Sequence, residues 1–391
     1  MRILLVHNCY QQPGGEDIVV EQERRLLQQQ GHEVSTYFRS NWDTERFRGI
    51  EQLELARRTV WASDSKRDIT KLLRTNKPDV VHVHNTFVMI SPSIYSACAE
   101  AGVPVVQTLH NYRLLCPSAT FYRDRRICEE CVDHSLWQSV RYRCYQQSAM
   151  ATGTIALMLA VHRRLGTWQT GVACYICVSH FSRSRFVRAG FPEEKIVVKP
   201  NFVDPDPGRG KSDGAYAVFA GRLAPAERVK VLLDAWSLIG NGIPLVIIGG
   251  GKERAQLEQE AIRRGLNVRF RGHLPHEQVL SEISAARFLV FSSEWYENFP
   301  VTIVESFACG VPVICSRVGA MQELVEDGRT GLHFMPGSSE DLAEKVRWAL
   351  NNRDRMQAMA DEARHEYETK YSAATNYQTL MTIYEQAVAR A

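Results

Sequence analysis

Phe288-Leu289-Val290-Phe291-Ser292-Ser293-Glu294-Trp295-Tyr296-Glu297-Asn298-Phe299-Pro300-Val301-Thr302-Ile303-Val304-Glu305-Ser306-Phe307-Ala308-Cys309-Gly310-Val311-Pro312-Val313-Ile314-Cys315 is the stretch from which the fold is read. Residues 288–291 are apolar without alternation, which describes a strand covered on both faces. A polar loop follows, a helical pattern opens near Val301, and Gly310 stops it. Pro312–Cys315 then starts a second strand. A strand, a helix and a strand in so short a run form a βαβ unit, and the two strands of such a unit are parallel.

The same rhythm extends outward. After it come Val318–Val325 and Asp327–Leu332; before it come strands at Val268–Phe270, Pro244–Ile248 (ending in Gly249-Gly250-Gly251) and Tyr216–Ala220, with a helix over Val231–Ile239. Further back, 204–214 is rich in Asp, Pro and Gly and has no periodicity, which marks a linker. Ahead of the linker the rhythm repeats, with strands at Ile3–Val6, Val80–His84, Val103–Thr108, Tyr175–Ser179 and Lys195–Val198 and a helix over Asp17–Gln30. The expectation is an α/β chain of two Rossmann-like parallel-sheet domains facing across a cleft. They would span 1–203 and 215–370 around the 204–214 linker, with a 371–391 helix packing back on the first. In such sheets ligands bind beyond the carboxyl ends of the strands, so the chemistry belongs on the loops that follow strands.

A length of 391 residues suits two such domains. Residues 1–200 carry 26 basic and 19 acidic side chains, a net of +7, and the rest is net −4. A basic half attracts phosphates or an anionic membrane surface. The longest apolar run, Ile155–Val161, is far short of the ~20 residues that cross a bilayer. The start, Met1-Arg2-Ile3-Leu4-Leu5-Val6 followed by His7-Asn8, reads as a buried strand rather than a signal peptide, and a cytoplasmic location is expected.

Glu297 sits in a loop and Glu305 inside the following helix. An ionised carboxylate accepts two hydroxyl hydrogen bonds at once, as vicinal sugar hydroxyls offer. The amides at the helix start, with its dipole, suit a diphosphate. With Asn298, Phe299, Pro300, Val301 and Thr302 between them, these carboxylates form a segment that resembles the E-x7-E motif of retaining glycosyltransferase family 4, which has the GT-B fold. Phe270-Arg271-Gly272-His273-Leu274 resembles the family segment that holds the nucleobase, and Val318–Leu332 its next strand and loop. The resemblance covers nearly the whole chain and is most specific over 216–336. It implies donor-sugar contacts from Glu297, Asn298, Phe299 and Pro300 and diphosphate contacts from Val301 and Thr302. Glu305, Gly272, His273, Leu274 and Gly249 would line the ribose and base.

Ala220-Gly221-Arg222-Leu223 follows a strand, and an Arg there can fork onto two phosphate oxygens. The family usually continues Gly-Arg-Leu-x-Pro-Glu-Lys-Gly, and its Lys also meets the diphosphate. Here Glu227 stands in that register and Arg228 follows it. A carboxylate facing a diphosphate repels it, so Arg228 is expected to supply the charge.

In the first domain, Gln12-Pro13-Gly14-Gly15-Glu16-Asp17 opens a helix after the first strand. Gly14 and Gly15 let backbone approach a ligand; the resemblance places them at the donor phosphate. No G-x-G-x-x-G run is present there, which disfavours a nicotinamide cofactor. Thr108-Leu109-His110-Asn111-Tyr112 lies past another strand, and the matching family His sits at the donor sugar, so His110 joins Glu297 as a candidate catalytic residue. His82 and His84 alternate on one strand and read as packing or supporting groups.

Cys116, Cys128, Cys131 and Cys144 fall in one loop-rich insertion. The gap of Cys128-Glu129-Glu130-Cys131 is that of a zinc knuckle, but zinc, a disulfide and free thiols all stay open. Trp137 to Trp168, rich in Arg and aromatics, reads either as a membrane-interface patch or as core. The function expected from the resemblance is retaining transfer of a hexose from a nucleotide diphosphate sugar, UDP-glucose or a related UDP-sugar. The acceptor would be a glycan or lipid-linked saccharide, with no required cofactor, no catalytic metal and no nucleic-acid partner. A catalytically weak nucleotide-sugar-binding subunit, and a nucleotide-sugar hydrolase or isomerase, are the alternatives.

Overall fold

A computed structural model describes the chain except residues 12, 13, 48, 50, 211–213, 225, 226, 241 and 391. Gln12 and Pro13 of the glycine loop, part of the 204–214 linker, and Pro225-Ala226 after Arg222 therefore lie outside the described residues. The chain divides into two compact units. Unit 1 comprises Met1–Phe121, Cys128–Asn201 and Asn376–Ala391; unit 2 comprises Tyr122–Ile127 and Phe202–Thr375.

Strands β1 (Arg2–Cys9), β2 (Glu33–Ser40), β3 (Val80–Val83) and β4 (Val105–Leu109) belong to unit 1, whereas the two-residue strands β5 (Tyr122–Arg123) and β6 (Arg126–Ile127) form a hairpin of unit 2. With β7 (Cys174–Cys177) and β8 (Ile196–Val198), the unit 1 sheet runs β2-β1-β3-β4-β7-β8, parallel throughout. Its central strands are apolar runs buried on both faces, such as Ile3–Val6 and Val80–Val81. The Ala373–Ala389 helix supplies Leu380, Ile383, Tyr384 and Ala387 to the core around Ile3, Leu5, Leu27, Val80 and Val106. Each such aliphatic side chain contributes roughly 1.5–3 kcal/mol of burial.

Unit 2 contains β9 (Ala217–Ala220), β10 (Leu245–Ile248), β11 (Val268–Gly272), β12 (Phe288–Phe291), β13 (Val313–Ser316) and β14 (Gly331–Phe334). The sheet order is β11-β10-β9-β12-β13-β14, again parallel. The order in which strands are added reverses between β9 and β12, and in unit 1 between β1 and β3. Such switch points open a crevice at the strand carboxyl ends, where ligands seat.

The sequence reading missed β2. Among the described residues it pairs with β1 alone, at the sheet edge, and its Glu-Val-Ser-Thr-Tyr-Phe-Arg-Ser run carries little of the continuous apolar signal that marks a central strand. The 137–168 stretch contains the Ala149–Arg164 helix, which buries Ile155, Ala156, Met158, Leu159 and His162. Among the described residues, no helix is long and apolar enough to cross a membrane.

Candidate active site

In unit 2 the strand ends beside the switch point approach one another through chain that only glycine allows. Gly249, just past β10, has φ +132°, and a Cβ there would fall 1.9 Å from the Gly221 carbonyl oxygen. Its amide donates to the Gly272 carbonyl at 2.8 Å, while the Gly221 amide donates to Ile248. The ends of β9, β10 and β11 are thereby tied together, and Gly221, Gly249 and Gly272 become neighbours.

The loop after β12 carries Glu297, half-buried, whose Oε1 accepts from the Ser293 hydroxyl at 3.1 Å. Burial raises its pKa to about 7, against the pull of Ser293, Arg222 and Trp295. The Val301–Ala308 helix begins immediately afterwards at Pro300, with no side-chain cap and no acidic residue in its first turn. An uncapped start leaves first-turn amides to other acceptors. About one turn in, Glu305 is buried, and its Oε1 accepts from His276 Nε2 at 2.6 Å. His276 opens the His276–Ser284 helix after β11, and the bond to Glu305 raises its pKa. Sequence reasoning missed His276; its place one residue past Pro275 at a helix start was the available signal. Leu274 is partly covered, and His273 faces solvent.

Arg222 is the open cation of this edge, its side chain 76% exposed and 3.7 Å from Glu227. Glu227 itself is buried; burial first, then the charge of Glu297, push it up to about 8. A carboxyl that keeps its proton near neutral pH does not repel a phosphate, which removes the objection raised by Glu in the place of Lys. Arg228 takes a left-handed backbone, φ +52°, at the start of the Val229–Ile239 helix, and its Nε lies 2.8 Å from Glu294 Oε2.

In unit 1, Gly14 and Gly15 open the Gly15–Gln29 helix. The Gly14 amide donates to Asp17 Oδ2 at 2.8 Å, the back-reaching half of a capping box, so this amide serves the helix and not a ligand. Asp17 Oδ1 also lies 3.0 Å from His7 Nε2. Burial would lower the pKa of His7, but Asp17, Cys9 and Glu16 together raise it to about 9. Glu16 is raised to about 7, by burial first, and accepts from Tyr10 and Asn111 at 3.1 and 3.2 Å. None of this network was legible as a site.

His110 lies just past β4, partly covered, with Nε2 2.9 Å from His84 Nδ1. Burial drops its pKa to about 3, leaving the ring neutral. His82 and His84 are thus partners of the His110 region rather than surface groups.

All ten cysteines are free, so the disulfide alternative is not realised. Cys116, Cys128 and Cys144 lie near enough to Cys131 to push its pKa up, which places the four thiols in one neighbourhood.

Two doubly wound parallel sheets, one bearing two carboxylates around an uncapped helix start at its switch point, define a doubly wound α/β protein with ligand crevices at the strand carboxyl ends. Residues 13–207 match the model described as Glycosyltransferase Family 4, and residues 204–366 the model described as Glycosyl transferases group 1. The chain belongs to glycosyltransferase family 4. It is 28% identical over 212 residues to an uncharacterized glycosyltransferase of Methanocaldococcus jannaschii, covering 54% of this chain and 59% of that one. It is 25% identical over 334 residues to a putative teichuronic acid biosynthesis glycosyltransferase of Bacillus subtilis, covering 83% and 76%. The chain spans about half the length of several of the curated relatives it matches. HepE of Anabaena, solved in complex with UDP, has a similar fold: TM-score 0.69, 20% identity, 98% of this chain and 99% of that chain. The fold is GT-B.

Proposed function

We propose that this protein is a retaining glycosyltransferase that moves a hexose from a UDP-sugar, UDP-glucose or a close relative, to a glycan or lipid-linked saccharide. The observation that carries the reading is the grouping at the end of β12: Glu297 in the loop, an uncapped helix start at Val301-Thr302, and Glu305 about one turn in. Glu297, with Asn298, Phe299 and Pro300, takes the hexose hydroxyls. Val301 and Thr302 amides, Arg222 and Arg228 take the diphosphate and stabilise it as it leaves. Glu305 holds the ribose, and Gly249, Gly272, His273 and Leu274 line the base. In unit 1, His110 serves the donor sugar and the Gly14-Gly15 turn its phosphate, with Gly15 and the later amides doing so because Gly14 is engaged. The reading includes front-side attack, in which the acceptor oxygen bonds to the anomeric carbon as the bond to the diphosphate breaks. The departing phosphate oxygen takes the acceptor's proton, and the anomeric configuration is kept.

The UDP part is supported by relatives such as HepE, whose structure holds UDP. The protein cations and amides supply the counter-charge, so no divalent metal is required. A cytoplasmic location with contact to an anionic membrane also belongs to the proposal. Exposed Trp137, Tyr142, Met150 and Leu165 lie in the same stretch as exposed Arg141, Arg143 and Arg164. Sedimentation with anionic and neutral vesicles tests that part.

The test of the activity is incubation with UDP-glucose and candidate glycan and lipid-linked acceptors, followed by product stereochemistry. Transfer with an α-linked product supports the reading. A β-linked product overturns retention, and UDP release that never depends on an acceptor favours a hydrolase.

A further inference from the structure

Helix Gly15–Gln29 turns the stripe Val19, Val20, Glu23, Leu26 and Leu27 into unit 1. Four of these are apolar and the fifth is a carboxylate, 1% exposed. A charge in that position is costly unless paired and hydrogen-bonded. Glu23 Oε2 meets Lys199 Nζ at 3.1 Å, and Lys199, 2% exposed, also donates to Asn376 Oδ1 at 3.3 Å. Glu23 Oε1 faces two imidazoles, His82 Nδ1 at 3.0 Å and His84 Nε2 at 3.5 Å. The remaining contacts of His82 are Tyr384 on Nδ1 at 2.7 Å and Thr108 on Nε2 at 2.8 Å. Glu23, His82 and His84 lie close enough to hold a cation. That role is already filled, because Lys199 supplies the positive charge and Tyr384 occupies His82 Nδ1.

The geometry constrains where protons sit. Lys199, His82 and His84 keep Glu23 ionised against its burial, so it only accepts. His84 Nε2 and Glu23 Oε1, 3.5 Å apart, are both buried and make no well-formed hydrogen bond, so electrostatics alone orders this contact: a bare nitrogen facing the carboxylate is repelled, whereas an N–H there is attracted. His84 is neutral, its pKa lowered by burial, so it carries one ring proton, on Nε2. Its Nδ1 is then a lone pair, and the 2.9 Å contact with His110 Nε2 forms only if His110 donates. His110 is neutral too, so its Nδ1 is bare.

We infer that Glu23, acting through His84, fixes His110 as the Nε2–H tautomer, so that the ring offers Nδ1 to its ligand as a hydrogen-bond acceptor. Glu23 and His84 are positioning residues, and on the proposed function the group that His110 recognises is a hydroxyl of the donor sugar. This last step rests on that function; the tautomer does not.

The experiment is long-range proton–nitrogen NMR of the full chain labelled with ¹⁵N-histidine near pH 7.5. The His110 and His84 signals are assigned by their loss in H110A and H84A. The expected result is a neutral His110 with its proton on Nε2 and a neutral His84 with its proton on Nε2. In Glu23→Gln an amide that both donates and accepts faces His84, and His110 is expected to move to the Nδ1–H form or to a mixture. Should E23Q fail to fold with Lys199 unpaired, the E23L/K199M double variant removes both charges, with the same expected loss of a single tautomer. His110 protonated on Nδ1 or on both nitrogens in the wild type overturns the inference, as does an unchanged tautomer in a folded variant. Should neither variant fold, the wild-type spectrum decides alone. Calorimetry with UDP-glucose separates the two readings. Absent binding with the expected tautomer counts against the function only, and binding with the opposite tautomer counts against the inference only. A folded variant with the altered tautomer is expected to bind UDP-glucose about three- to tenfold more weakly.

Discussion

His276 Nε2 donates to Glu305 Oε1 at 2.6 Å, so one oxygen of the second carboxylate is already occupied before any ligand arrives. A carboxylate has a second oxygen, and the proposal gives it to the ribose. Glu305→Ala is predicted to weaken UDP binding by roughly 10- to 100-fold, the range for hydrogen bonds to a charged group. His276→Ala should weaken it less, through loss of orientation alone, and calorimetric titration with UDP separates the two. The contact also makes stability depend on pH. Because the folded pKa of His276 is raised, its stabilisation is complete below the ordinary value of 6.5 and fades as pH rises through the folded value. Thermal unfolding of H276A against wild type should therefore differ more at pH 5.5 than at pH 9.

Glu227 gives a dependence of the same direction, but through a burial penalty rather than a favourable contact. Its folded pKa is about 8 against an ordinary 4.5, so the folded state holds an extra proton across that window. Stability falls as pH rises from about 4.5 to about 8. Glu227→Gln removes the penalty and is predicted to be more stable than wild type at pH 8.5, by about 1–3 kcal/mol, with little gain at pH 5. UDP-glucose affinity should decline above pH 8 in the wild type, as Glu227 ionises beside the diphosphate seat, and hold steady in E227Q. A parallel decline in both proteins would show that Glu227 is not the titrating group.

Arg222 and Arg228 should separate in their effects. Arg222 is exposed, so R222A is predicted to lose about tenfold or more in UDP-glucose affinity with an unchanged melting temperature. Arg228 also pairs with Glu294, whose side chain is largely covered. R228A is predicted to lose affinity and to melt earlier by several degrees. Unchanged affinity in R228A would remove Arg228 from the diphosphate site.

What could be read in advance followed burial and local spacing. The central strand Phe288–Phe291 is covered on both faces, and its apolar run marks it with correct bounds. The edge strand β2 has no such run. Glu297 and Glu305 lie on one short segment, so their spacing was visible, whereas the His276 contact reaches Glu305 from a different helix. Glu23 and Lys199 are 176 residues apart, and only folding reveals that they pair. A glutamate inside the Val19–Leu27 apolar stripe was a usable sign, since such a position seldom tolerates a charge without a partner. The Gly14-Gly15 turn shows the reverse case: composition suggested two amides offered to a ligand, and the Asp17 cap engages one of them.

Metal removal tests the source of counter-charge. Because Arg222, Arg228 and the Val301-Thr302 amides suffice on this account, EDTA-treated protein is predicted to bind UDP-glucose within about twofold of untreated protein. Lost binding that magnesium or manganese restores would place a divalent ion at the diphosphate.

The central claim is that the segment from Glu297 to Glu305 grips a UDP-sugar. Isothermal titration of UDP-glucose into wild type, E297A and E305A tests it most directly. The account predicts saturable one-site binding in the wild type and a loss of roughly tenfold or more in each folded variant. Wild-type protein that does not bind UDP-glucose, or variants that bind it as well as wild type, would contradict it.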